Sequence, residues 1–120
     1  MYKRVLLKLS GEQLAGQQES GINAEFTNWL ASQVKQVGVS GTQVVIMVGG
    51  GNFVRGATVA GNGIQRVTAD HMGMLATMIN ALALTDIFEA NGVATRCLSS
   101  IFATQVAEPF VYRLASKHLE

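Results

Sequence analysis

Lys8, the run Gly49-Gly50-Gly51-Asn52, Arg55, Arg66 and Asp70 are the residues whose types and spacing suit chemistry. Lys8 sits late in the apolar run Val5-Leu6-Leu7-Lys8-Leu9. A lysine in a strand buried on both sides is costly to desolvate unless an anion neutralises it. In α/β sheets ligands gather beyond the carboxyl ends of the strands, where Lys8 points. An edge-strand lysine snorkelling to water fits the same residues. Consecutive glycines let a backbone approach a ligand closely, and their successive N–H groups make an anion nest. A tight strand exit would use them too. Arg55 follows at the right distance to act as a bidentate phosphate partner. Arg66 could be a second, or a solvated loop charge. Asp70 reads either as an N-cap or first-turn acid, or as an acceptor for sugar hydroxyls.

Several familiar constellations are missing from the sequence. A G-x-G-x-x-G pattern would need Gly where Val54 stands, and after Gly51 and Gly56 a Walker A loop would need Lys-Ser/Thr where Ala57-Thr58 stand. His71 and His118 have no evident catalytic partner, no G-x-S-x-G occurs, and no metal cluster is expected. With the single Cys97, an internal disulfide and a Cys-rich zinc site are excluded, which suits a reducing compartment.

The elements that must position these residues follow from pattern. Val5–Leu9 and Val44–Val48 read as buried strands of a parallel sheet. Between them, Phe26, Trp29, Leu30, Val34 and Val37 mark one side of a helix over about 23–37, stopped by Gly38 and Gly41. No periodicity holds from Gly49 to about Thr68, so a functional loop is expected there. A nearly all-apolar helix should run from near Asp70 to Ala90, ended by Asn91-Gly92. Thr95–Leu98 reads as a third strand, and Glu108–Leu119 as a last helix with Pro109 in its first turn. The order implies an α/β fold, an open and mainly parallel sheet with helices on both faces. The last helix reaches Glu120 without a returning strand, so an N-terminal portion of something longer is expected.

Composition agrees with a folded domain. The 120 residues are 48% hydrophobic and 14% charged, which excludes disorder, and a net charge of +1 gives no basic stripe for nucleic acid. The apolar stretch His71–Thr85 is shorter than a membrane span needs, so a soluble cytoplasmic protein is expected, with no membrane partner.

Three segments carry a resemblance: Tyr2-Lys-Arg-Val-Leu-Leu-Lys-Leu-Ser-Gly-Glu12, Val48-Gly-Gly-Gly-Asn-Phe-Val-Arg-Gly56, and Ala69-Asp-His-Met-Gly-Met-Leu-Ala-Thr-Met-Ile-Asn-Ala-Leu-Ala-Leu84. Together they closely resemble the bacterial-type uridylate (UMP) kinases of the amino acid kinase fold. The resemblance implies phosphoryl transfer from ATP to UMP with Mg²⁺, in pyrimidine nucleotide biosynthesis. It implies that Lys8, Leu9, Ser10 and Gly11 hold the transferring phosphate and the triphosphate, with Lys8 catalytic. Gly51 and Arg55 would contact ATP, and Gly50 and Asp70 would contact UMP. The segment Gly16, Gln17, Gln18, Glu19, Ser20 and Gly21 matches one linked to activation by GTP, and UTP inhibition is a further implication. Homo-oligomers, hexamers as trimers of dimers, are implied as well. Family chains are about twice this length, so residues 1–120 read as a single domain, the UMP-binding half, with the ATP-binding half absent. A relative phosphorylating a carboxylate or carbamate, and a non-catalytic nucleotide-binding module, are the alternatives.

Overall fold

The computed structural model describes residues 1–120; for Gly56 only the backbone is described. The elements are β1 (Arg4–Leu9), α1 (Gly11–Ala15), α2 (Ala24–Val39), β2 (Gln43–Val48), α3 (Gly56–Gly61), α4 (Arg66–Ala90), β3 (Leu98–Ser99), β4 (Glu108–Pro109) and α5 (Tyr112–Leu119). The fold is α/β with parallel strand pairing. β1 pairs with β2 from Arg4↔Gln43 to Leu9↔Val48, and β3 pairs with β4 through Leu98↔Glu108 and Ser99↔Pro109.

Local chemistry sets the boundaries. Val44, Val45, Ile46 and Val48 give β2 the β-branched content that suits a pleated surface. The Asn23 side chain accepts from the Phe26 N–H at 2.8 Å and so caps α2. Gly41 (φ 96°) turns the chain from α2 into β2, and Gly92 (φ 80°) follows the Asn91 cap of α4. The core lies where α1, α2 and α4 meet one face of the β1–β2 pair: Leu9, Leu14, Leu30, Ala31, Leu84 and Phe88 are buried there, with Ile46 and Val48 packed against them.

Several expectations are corrected. Val5–Leu9 is not buried on both sides: Leu6 is 60% exposed and Lys8 is exposed too, because the core helices pack on one face, while on the other α5 reaches the Gln43 side chain at the far end of the pair. The region after Gly49 is not all loop, since α3 lies in it and α4 begins at Arg66, directly after Gln65. Asp70 is therefore in the second turn of α4, and the N-cap reading falls. Glu108-Pro109 is a strand, not a helix start; the Phe110 N–H donates to Ser99 O at 2.9 Å, which commits the segment to extended pairing. The third strand is Leu98–Ser99 rather than Thr95–Leu98. α4 is also longer than the apolar stretch suggested. Its 25 residues, with an 18-residue window of mean hydropathy 1.2, would suffice to cross a membrane by length and composition. Yet it packs on α2, α3 and β2, and its Asn80 is fully buried in hydrogen bonds to protein.

Candidate active site

Parallel pairing aligns the carboxyl ends of β1 and β2, and a groove of about 430 Å³ opens there. It is lined by Lys8, Leu9, Ser10, Gln13, Met47, Val48 and Gly49. Lys8 stands opposite Met47, and both project from the face of the strand pair opposite the buried core. The ammonium is solvated, and the burial argument for an anion partner gives way to position: a free cation at the rim of a strand-end groove.

The first turn of α1 forms one wall. Gln13 Oε1 accepts from the Ser10 N–H at 2.8 Å and from its hydroxyl at 3.3 Å, which holds the turn that follows Lys8-Leu9. Gly11 is required by close approach rather than by a strained φ. A Cβ on it would lie 2.8 Å from Gly50 C and 2.7 Å from Asn52 Oδ1. The same is true of Gly50, whose Cβ would meet Ala76 Cβ at 2.8 Å and Gly73 O at 2.9 Å. Here α4 touches the glycine turn, and Asp70, one turn before Gly73, lies on the adjoining side of that helix.

Charge is distributed around this cradle in pairs. Arg55 contacts the Glu12 carboxylate at 2.6 Å, with both side chains largely in solvent. Glu12 lies against Gly51: a Cβ there would be 2.8 Å from the Glu12 carboxyl carbon. Arg66 Nε donates to Asp70 Oδ1 at 2.9 Å, an i,i+4 pair on exposed helix. Exposed pairs of this kind contribute about 0–1 kcal/mol, so either arginine can exchange its partner for a stronger anion at little cost.

The segment from Gly16 to Gly21 runs beside the cradle. Gly16 (φ 59°) ends α1, and Gly21 (φ 79°) donates its N–H to Asn52 O at 3.0 Å. Gln18 is held by the Asn23 amide at 2.9 Å, while Gln17, Glu19 and Ser20 are exposed.

The structure thus brings Lys8, Leu9, Ser10 and Gly49 to one groove, sets Gly11, Gly50 and Gly51 together behind it, and ties Arg55 to that group through Glu12. Arg66 is engaged with Asp70 instead. Sequence reasoning missed Glu12, Gln13 and Asn80 as parts of the site, and named Asn52 only as the end of the glycine run. A signal existed for Asn80, an amide inside a run of apolar helix residues. His118, for which no partner was evident in the sequence, sits 2.9 Å from Glu108 Oε2, largely shielded between α5 and β4. Among the described residues no group of three or more His, Cys, Asp or Glu side chains is arranged to hold a metal ion.

The sequence matches the amino acid kinase family over residues 3–119. It is 50% identical over 120 residues to a uridylate kinase of Methylococcus capsulatus, covering 100% of this chain and 50% of that protein. It is 47% identical over 119 residues to a uridylate kinase of Dichelobacter nodosus, covering 99% of this chain and 49% of that protein. The fold superposes on the crystal structure of UMP kinase from Bacillus anthracis with a TM-score of 0.89 and 38% identity, covering 98% of this chain and 49% of the other. For UMP kinase from Ureaplasma parvum the TM-score is 0.87 at 34% identity, covering 98% and 50%. The chain spans about half the length of the curated relatives it matches.

Proposed function

The chain belongs to the amino acid kinase family, and from that premise we propose that it serves phosphoryl transfer from ATP to UMP, giving ADP and UDP in pyrimidine nucleotide biosynthesis. The observation that carries the reading is the strand-end groove, with Lys8 at its rim and Ser10 and Gly49 in its walls, in a chain so similar to uridylate kinases. In the reaction a phosphate oxygen of UMP attacks the γ-phosphorus of ATP while the bond to the β,γ-bridging oxygen breaks, and ADP leaves. Such a transfer needs positioning and charge neutralisation rather than a protein nucleophile.

On this reading Lys8 meets the charge that builds on the transferring group. Leu9, Ser10 and Gly11 shape the triphosphate side, with Gly51 and Arg55. Gly50 and Asp70 serve UMP. Arg55 would leave Glu12 to take a phosphate. The exposed pair is worth about 0–1 kcal/mol, while a charge-assisted bond to phosphate is worth about 1.5–3 kcal/mol, so the exchange is favourable. Mg²⁺ would enter as part of the ATP complex, held through phosphate oxygens.

The finer readings rest on the same basis. Residues 1–120 serve as the UMP-binding domain, paired with an ATP-binding half in the whole protein, which works in the cytoplasm. Segment 16–21 is the place for a GTP activator, with UTP as inhibitor. α4 leaves Met74, Leu75 and Ile79 48%, 53% and 49% exposed, and a second copy covering them would begin a homo-oligomer, a hexamer built from dimers.

The test is UDP formation by the complete gene product, followed by phosphorus NMR. The parent should convert UMP and ATP, and should leave carbamate and acetate unphosphorylated. Lys8→Ala should slow transfer about 100-fold or more, by analogy with other preorganised charge donors. Transfer within tenfold of the parent would remove Lys8 from its role. Preference for a carboxylate acceptor would overturn the substrate.

A further inference from the structure

Asn52 and Asn80 are buried, at 3% and 0% exposure, and face each other across the junction of the glycine turn and α4. Their amides bond reciprocally. Asn52 Nδ2 donates to Asn80 Oδ1 at 3.0 Å, and Asn80 Nδ2 donates to Asn52 Oδ1 at 2.7 Å. Each has a second donor hydrogen, and each spends it on a backbone carbonyl. Asn80 reaches Gly49 O at 2.7 Å, and Asn52 reaches Gly21 O at 2.9 Å. Gly21 in turn donates its N–H to Asn52 O. Asn52 therefore grips Gly21 through both its side chain and its main chain.

Buried amides are retained at a cost unless every hydrogen bond is made. These make all four donations, and they do so between three segments, α4, the glycine turn and Gly21. α4 holds Asn80; Asn80 fixes Gly49 and Asn52; Asn52 fixes Gly21. Gly11 abuts the same point, 2.7 Å from Asn52 Oδ1 if it carried a Cβ. We infer that Asn52 and Asn80 are positioning residues: they set the glycine turn against Lys8 and couple it to segment 16–21. The inference rests on the phosphoryl-transfer reading for its effect on rate. The joint itself rests only on the geometry above. A ligand that shifts segment 16–21 would move the turn through Asn52, and phosphate on the turn would quiet that segment.

Asn80→Asp keeps the size and removes the amide donor, in the complete gene product. Hydrogen exchange, read by mass spectrometry, should accelerate about fivefold or more in peptides spanning 16–22, to which Asn80 makes no hydrogen bond. Peptides from α2 should keep the parent's rate, which separates the joint from general loss of stability. The kcat for UDP formation should fall about tenfold with KM for UMP within about twofold, as expected for misplaced rather than missing contacts. Asn52→Ser, cutting the same chain at its other end, should reproduce both effects and serves if Asn80→Asp does not fold. Exchange over 16–22 within twofold of the parent in the folded variant, or acceleration of α2 by the same factor, would overturn the joint. An unchanged kcat would overturn the positioning role. A parent that forms no UDP would instead refute the activity, while the exchange result still decides the coupling.

Discussion

Around Asn52 the α1 turn, the glycine turn, α4 and Gly21 come within van der Waals or hydrogen-bond reach. On the opposite face of the same two strands, Leu6, Lys8 and Met47 stand in solvent. The inner side gets its geometry from small residues and satisfied amides, and leaves no room for change. The outer side keeps its charged groups solvated or in weak pairs, free to change partners. A site for phosphate needs both. Rigid backbone fixes where the anion lies, and mobile cations at the rim give it somewhere favourable to go.

The largest effect is expected where an exposed apolar face would be covered by a second copy. Met78 is buried within the chain, so it cannot test that contact, whereas Ile79 is 49% exposed. Ile79→Asp should weaken self-association about 100-fold or more, because a lone charge has no partner in an apolar contact. Sedimentation should show smaller, folded species; an unchanged assembly would mean that this face is not the contact.

On the inner side, Gly50→Ala should cost about 2–3 kcal/mol of stability, since its Cβ meets Ala76 and the α4 backbone at 3.0 Å or less. A lowered urea midpoint with an unchanged slope would register it. A loss below about 0.5 kcal/mol would mean that α4 can move away from the turn. At the rim, Asp70→Asn should separate the two kinds of contribution. Breaking the exposed pair with Arg66 should cost about 0.3–0.5 kcal/mol of stability. Losing a charged acceptor for sugar hydroxyls should weaken UMP about tenfold or more. Calorimetry with UMP and with ATP separately would check it, and a larger effect on ATP would reverse the division of the site. The smallest effect is expected for Glu12→Gln. It frees Arg55 and should tighten ATP binding about two- to threefold, with stability within about 0.5 kcal/mol of the parent.

Much of this contrast was legible in the sequence, and unevenly so. β1, α2, β2 and the end of α4 at Asn91-Gly92 follow from apolar spacing and stop signals, because those are local and repeated. Gly49–Gly51 announced a close backbone approach, and the fold supplies its partners in Gly11, Ala76 and Gly73. The short helices α1 and α3 escaped, being too brief for a period and carrying glycines. Glu108-Pro109 misled because Pro is permitted in both a first helical turn and a short edge strand, and only pairing with Leu98-Ser99 decides. The sequence left Lys8 open between a buried lysine and an edge-strand one reaching water, since an apolar run does not say which faces this chain covers. Glu12 with Arg55, and Asn52 with Asn80, are joined across 43 and 28 positions by tertiary packing alone.

The most direct test of the cradle is titration of the complete gene product with UMP, read through backbone amide resonances. The inner turn should report the ligand bound at the rim: Gly50 and Asp70 should shift together and saturably, Gly21 should follow through Asn52, and α5 should stay still. Saturable binding that moves other residues and leaves Gly50 and Asp70 unchanged would contradict the account.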